Sequence, residues 1–256
     1  MEQTQLFPFD SASLQERAER LKNTYAQARP FPHIVLDQFF SEEVLESLLA
    51  EFPGPEDIQW LQLQHENSKK LASKNEEQLG PASRAFIHQL NSSAFIAFLE
   101  KLTGIEGLIP DPHLWGGGLH QILKGGFLNI HADFNKHTRL KLDRRINLLV
   151  YLNKDWKEEY GGHIQLWSRD MKQCIQKILP VFNRCVIFST TDFSYHGHPE
   201  PLTCPEDRSR KSLALYYYSN GRPLQEISKA HSTLYRSPSK QNQPFFKKIT
   251  SFFSSR

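Results

Sequence analysis

The sequence predicts an α+β fold in which a helical N-terminal layer supports a β-rich C-terminal part, and two observations carry that reading. Before Gly104, apolar residues recur at helical spacing, as in Leu14, Ala18, Leu21 and Tyr25. After Gly104, short runs rich in β-branched and aromatic residues follow one another, separated by Gly, Pro, Asn or charged turns. Regular short strands of that kind belong to a sandwich, a jelly roll or a barrel. A chain of 256 residues suffices for one large domain with a modest extension.

The elements follow in order. Residues 11–28 read as a helix, with Ser11 or Ser13 as its cap. Arg29-Pro30-Phe31-Pro32 punctuates the chain before a short apolar strand, Ile34-Val35-Leu36. Ser41, Glu42 and Glu43 open a second helix, whose Val44, Leu45, Leu48 and Leu49 face the core until Pro53-Gly54 stops it. The polar, Gln-rich stretch from Pro55 to Lys74 reads as a long surface excursion, and Ser83 to Thr103 as one helix. Strands are expected at Gly118–Leu123, Phe127–His131, Ile146–Leu152, Gly162–Trp167, Arg184–Phe188 and Ser212–Tyr218. The division is therefore 1–104 as a helical support layer integral to the domain, 105–235 as the β core, and 236–256 as a tail. In that tail Phe245, Phe246, Ile249, Phe252 and Phe253 share one helical face opposite Lys247 and Lys248. Residues 245–253 would suit docking on a partner or a membrane surface, or packing back on their own domain.

Composition narrows the function. The net charge of +3 is too small to argue for nucleic acid, and no apolar run approaches the ~20 residues that cross a bilayer. The start of the chain lacks the basic and apolar regions of a secretory signal, so a cytoplasmic protein is expected. Cys174, Cys185 and Cys204 form no Cys-x-x-Cys pair and read as ordinary reduced thiols.

The chemistry is concentrated in histidine, of which there are 11. His131 and Asp133 are two apart, so on an extended segment their side chains share a face. A metal site needs a third ligand from a distant strand. His196 supplies one, with His198 as its rival. Two histidines and one carboxylate leave half of an octahedron open, which suits iron(II). The His-x-Asp spacing alone is weak, and a surface pair would look the same.

A wider pattern is specific. Pro30-Phe31-Pro32-His33-Ile34-Val35-Leu36-Asp37 precedes the helix near Ser41, and His131-Ala132-Asp133 precedes Arg145-Ile146-Asn147-Leu148-Leu149-Val150-Tyr151-Leu152-Asn153. Trp156, Gly161-Gly162, Pro180, the strand 184–188, His196 and Arg210-Lys211-Ser212-Leu213-Ala214-Leu215-Tyr216 then come in order. From about Phe31 to Tyr218 the chain resembles the iron(II)- and 2-oxoglutarate-dependent oxygenases, specifically the prolyl 4-hydroxylase-like group. The resemblance implies a double-stranded β-helix, or jelly roll, with His131, Asp133 and His196 as the iron triad. It implies Arg210 as the partner of the distal carboxylate of 2-oxoglutarate, a role that fits a planar guanidinium. Arg210 lies 14 positions after His196, a longer gap than the group usually shows, which makes Arg208 a competitor. The period-2 register of Arg210, Ser212, Ala214 and Tyr216 favours Arg210. Tyr151 matches a tyrosine whose hydroxyl bonds the same carboxylate, although an aromatic filling the barrel is the equal alternative.

The implied reaction is hydroxylation of an unactivated carbon, in a prolyl residue or a small metabolite, with release of succinate and carbon dioxide. Ascorbate is a common accessory of similar enzymes. Lys136, His137, Arg139, Lys141, Arg144 and Arg145 would attract an anionic substrate if they sit at the pocket mouth, and would otherwise form a solvated loop. Trp115, Trp156 and Trp167 are candidates for a hydrophobic entrance or for core. Two other classes stay open: a non-catalytic 2-oxoglutarate- or iron-binding or sensing module on the same scaffold, and a zinc hydrolase. The intact triad speaks against the first. The second lacks an obvious general base and leaves Arg210 unexplained.

Overall fold

The structure is a computed structural model that describes residues 9–237. Helix α1 (Ser11–Gln27) is capped by Asp10, whose carboxylate accepts from Ala12 N at 3.1 Å, in place of either expected serine. Its Leu14, Ala18 and Tyr25 are buried. Strand β1 (His33–Asp37) and helix α2 (Glu42–Ala50) fall where the sequence predicts them. The single helix expected over 83–103 is instead two, α3 (Pro81–Leu90) and α4 (Ser93–Thr103). The break has a local cause: Ser92 accepts from Phe95 N at 3.4 Å and so starts a new helix, which Gly104 ends in a left-handed conformation at φ +71°. The start of α3 is capped from α2, because the Glu51 carboxylate accepts from Ser83 N at 2.6 Å and Ala82 N at 3.0 Å.

The expected surface excursion is also corrected. Residues 61–72 form a hairpin, β2 (Leu61–His65) and β3 (Ser68–Ala72), and β3 is a stave of the main sheet. The remaining strands are β4 (Ile109–Pro110), β5 (Gly118–Leu123), β6 (Phe127–Ala132), β7 (Asp143–Tyr151), β8 (Ile164–Trp167), β9 (Cys174–Ile178), β10 (Arg184–Ser189), β11 (His196–His198), β12 (Ser209–Ser219) and β13 (Leu234–Tyr235). Along the sheet the order is β1-β10-β7-β12-β5-β3-β6-β11-β8-β9, with every pairing antiparallel. The curled sheet is the jelly roll expected. β3 closes it, because Ser68 and Lys69 pair with β6 while Leu71 and Ala72 pair with β5.

Strand alternation separates two environments. Ile146, Leu148 and Val150 of β7, with Leu213, Leu215 and Tyr217 of β12, join the helices in the main apolar core. The intervening Asn147, Leu149, Arg210, Ser212 and Tyr216 face the interior of the roll, and a cavity opens there. Among the described residues no helix is long and apolar enough to cross a membrane. The tail residues 245–253 lie outside the described residues.

Candidate active site

β6 and β11 pair so that His131 and His196 stand directly opposite each other, with ring centroids 4.5 Å apart. Gly197 permits this approach: a Cβ there would lie 2.7 Å from Asn129 O and 2.8 Å from Leu128 O. Asp133, just beyond the end of β6, brings Oδ1 to 3.6 Å from His131 Nε2 and Oδ2 to 3.5 Å from His196 Nε2. The three donor atoms lie within 4.8 Å of one another.

Each ligand is oriented from behind. His131 Nδ1 donates to Asn129 O at 2.8 Å and His196 Nδ1 to Ser194 O at 2.9 Å, which leaves both Nε2 lone pairs directed inward. Asp133 Oδ2 accepts from Asn147 Nδ2 at 2.8 Å and pairs with Arg144 Nη2 at 3.2 Å, so Oδ1 is left to a metal. Arg144 is itself fully buried, bonded to Asn147 Oδ1 at 3.0 and 2.6 Å and stacked 3.5 Å over the Tyr216 ring. Burial would raise the Asp133 pKa, but Arg144 and the two histidines hold it well below the usual carboxylate range. Burial pushes His196 down to about 4 against the pull of Asp133. Neutral imidazoles and an ionised carboxylate are the forms that ligate a metal. The donor set and its free lone pairs fit iron(II).

Arg210 opens into the same cavity and is buried. Its Nε donates to Gly162 O at 2.8 Å and its Nη2 to the Tyr151 hydroxyl at 3.1 Å. A side chain at Gly162 is excluded by its φ of +74° and by Arg210 Cδ, 2.9 Å from where the Cβ would stand. Among the described residues no carboxylate pairs with this guanidinium, so a buried cation faces the cavity without a counter-anion. Arg208 precedes the strand, donates to Lys154 O at 2.9 Å and lines a separate outer cleft. Tyr151 is wholly buried on the face of β7 that also carries Asn147 and Leu149, its hydroxyl on Arg210. His198, the rival of His196, stands apart from the group of three.

The basic cluster is corrected. Arg144 and Arg145 are buried, Arg145 donating to Ser219 at 3.1 Å, and His137 is buried 3.5 Å from Asp111. Lys136 pairs with Asp143 at 3.8 Å, and Arg139 and Lys141 alone are fully exposed. Nor do the three tryptophans line the cavity: Trp156 packs with Ile122, Leu202 and Cys204, Trp167 packs against the cluster around Met171, and Trp115 is exposed. Sequence reasoning missed Lys70 and His120, which face the cavity from β3 and β5. It also missed the role of Arg144 and Asn147 behind Asp133. A polar Asn inside the apolar run from Ile146 to Tyr151 of β7 was the one available signal.

The curled sheet thus carries a two-histidine, one-carboxylate donor set and a buried arginine on one cavity. Residues 117–218 match the family model of the 2OG-Fe(II) oxygenase superfamily. Iron(II) and 2-oxoglutarate are the cofactor and co-substrate that name that superfamily. The chain is similar to the mouse (Mus musculus) prolyl 3-hydroxylase OGFOD1, with 32% identity over 79 residues, which span 29% of this chain and only 14% of that relative. Its fold is similar to a Pseudomonas putida prolyl-4-hydroxylase, with a TM-score of 0.59, 16% identity and coverage of 80% of this chain and 100% of the other. It is similar also to a Trichoplax adhaerens prolyl hydroxylase in complex with a hypoxia-inducible-factor peptide fragment (TM-score 0.55, 17% identity, 84% and 95% covered). HygX from Streptomyces hygroscopicus, with nickel, 2-oxoglutarate and hygromycin B bound, has a TM-score of 0.52 at 11% identity, with 79% and 92% covered.

Proposed function

We propose that the protein is an iron(II)- and 2-oxoglutarate-dependent dioxygenase that hydroxylates an unactivated carbon. One oxygen atom of O2 enters the product hydroxyl and the other enters succinate, as 2-oxoglutarate loses carbon dioxide. The observation that carries this reading is the unpaired, buried Arg210 facing the same cavity as the free donor atoms of His131, Asp133 and His196. A buried cation of this kind calls for an anionic ligand, and a diacid would offer one carboxylate to it and the other to a metal on the three donors of the same cavity. Bound iron supplies the activation of oxygen. His131, Asp133 and His196 hold it, Arg144 and Asn147 fix the carboxylate, and Arg210, set by Gly162 O and Tyr151, receives the distal carboxylate.

The substrate class is a peptide or small molecule. A prolyl residue is favoured by the prolyl hydroxylases among the similar proteins, and HygX keeps a small metabolite in play. An anionic group on the substrate would meet the exposed Arg139 and Lys141. Residues 9–104 support the 105–235 core and lend β1 and β3 to its sheet, ascorbate would keep a bound iron reduced, and the three free cysteines suit the cytoplasm. Purified protein with iron(II), oxygen and 2-oxoglutarate forms succinate that a chelator and His131→Ala both abolish. Succinate formation insensitive to both would refute the reading.

A further inference from the structure

The cavity holds two more donors, His198 and Lys70, that make no hydrogen bond among the described residues. His198 points to the same face as His196, with only Gly197 between them. It is 3% exposed and neither ring nitrogen has a hydrogen-bond partner. β11 pairs His196 with Leu166 and Gly197 with Gln165, so His198 stands level with Ile164, two residues from the Gly162 carbonyl that holds Arg210.

Lys70 reaches the same level from the other side. Arg210 pairs with Ile122 across β12 and β5, and Leu71 pairs with Gln121 across β3 and β5. The antiparallel register therefore sets Lys70 opposite Ile122, and Lys70, Ile122 and Arg210 form one row across three strands, all three facing the cavity. Strands are ~4.8 Å apart, so the Cα atoms of Lys70 and Arg210 stand at about twice that spacing, which two long side chains leaning together can close onto one ligand. Lys70 makes no hydrogen bond or ion pair among the described residues. The step from His196 to His198 is about 7 Å along the strand, a span that a five-carbon diacid bridges.

Building on the oxygenase reading, we propose that the distal carboxylate of 2-oxoglutarate is received by three groups, Arg210, His198 and Lys70. The imidazole donates one N–H, the ammonium a second charge-assisted bond, and the lysine comes from the hairpin, outside the 117–218 stretch that defines the superfamily. The co-substrate thereby completes the seam where β3 joins β5 to β6. One carboxylate there gives buried Arg210 a counter-anion and buried His198 a hydrogen-bond partner, which each otherwise lacks among the described residues, and the half-buried Lys70 adds a second positive charge.

Calorimetric titration of 2-oxoglutarate into the nickel-loaded full chain tests this, with His198→Val, Lys70→Met and Lys70→Arg compared with wild type. Nickel affinity and melting temperature serve as controls. His198→Val and Lys70→Met each weaken 2-oxoglutarate binding by about tenfold or more, the worth of one hydrogen bond to a charged acceptor. Lys70→Arg restores most of the loss, and nickel affinity stays as in wild type. Wild-type affinity for 2-oxoglutarate in both variants overturns the three-group cradle and leaves the oxygenase reading intact. Failure of the wild-type protein itself to bind 2-oxoglutarate removes the oxygenase reading and the cradle with it. Should His198→Val not fold, Lys70→Met decides alone.

Discussion

Two buried arginines, Arg144 behind Asp133 and Arg210 in the cavity wall, should respond to the same substitution in opposite ways. Arg144 has a counter-anion, Asp133 at 3.2 Å, and Arg210 has none among the described residues. Replacing Arg144 by Met strands the Asp133 carboxylate, and removing one partner of a buried pair costs about 3–5 kcal/mol. At ~2–4 °C per kcal/mol for a chain of this size, the melting temperature of the metal-free protein falls by roughly 6–20 °C. Replacing Arg210 by Met forfeits bonds to Gly162 O and the Tyr151 hydroxyl, about 1.5–3 kcal/mol each at most. It also removes a buried cation whose effective desolvation penalty is several kcal/mol. The two contributions offset, so Arg210→Met melts at or above the wild-type temperature while its affinity for 2-oxoglutarate falls by ~100-fold or more. Scanning calorimetry of the three metal-free proteins and ligand titration of their nickel forms read both quantities. If Arg210→Met is destabilised as much as Arg144→Met, Arg210 is a structural cation and the argument from its missing partner is wrong.

Other outcomes follow from the same geometry. Asp133→Ala and His196→Ala each abolish tight metal binding in a nickel titration, since two donors remain of three. Gly197→Ala forces a methyl against the β6 carbonyls 2.7 and 2.8 Å away and parts His196 from His131. It costs ~1–3 kcal/mol by denaturant unfolding and weakens nickel binding. Acid weakens the metal-free protein early: with the His196 pKa lowered by burial to about 4 against ~6.5 unfolded, the unfolded state takes up the proton first. Stability therefore declines as pH drops from about 6.5 towards 4, by ~3 kcal/mol from this residue alone, and buried His120 and His198, held neutral in the same way, add to the slope. Denaturation of His196→Gln between those limits shows a shallower slope if the assignment is right.

The short apolar, β-branched and aromatic runs of β7, β10 and β12, bounded by turn and charged residues, by themselves determined that these segments are strands. Only the fold separated Arg208, which has the same parity as Arg210, by placing it ahead of β12 on Lys154 O; a side chain's face follows from its parity within a strand. His131 and Asp133 were legible as a pair for that reason. What local pattern could not contain is where a segment goes when its own apolar content does not say. The β2–β3 hairpin is polar because most of β2 faces solvent, so its place as a stave, and Lys70 with it, emerges only when β5 and β6 leave a gap for β3. β11 is three residues, too short for any period, and exists through its pairing with β6 and β8. Arg144 sits in a run of charges that reads as solvated loop, and it is buried because Asp133, Asn147 and Tyr216 arrive to receive it. A charge goes inside a protein only with its partners, and partners distant in sequence are chosen by the tertiary fold.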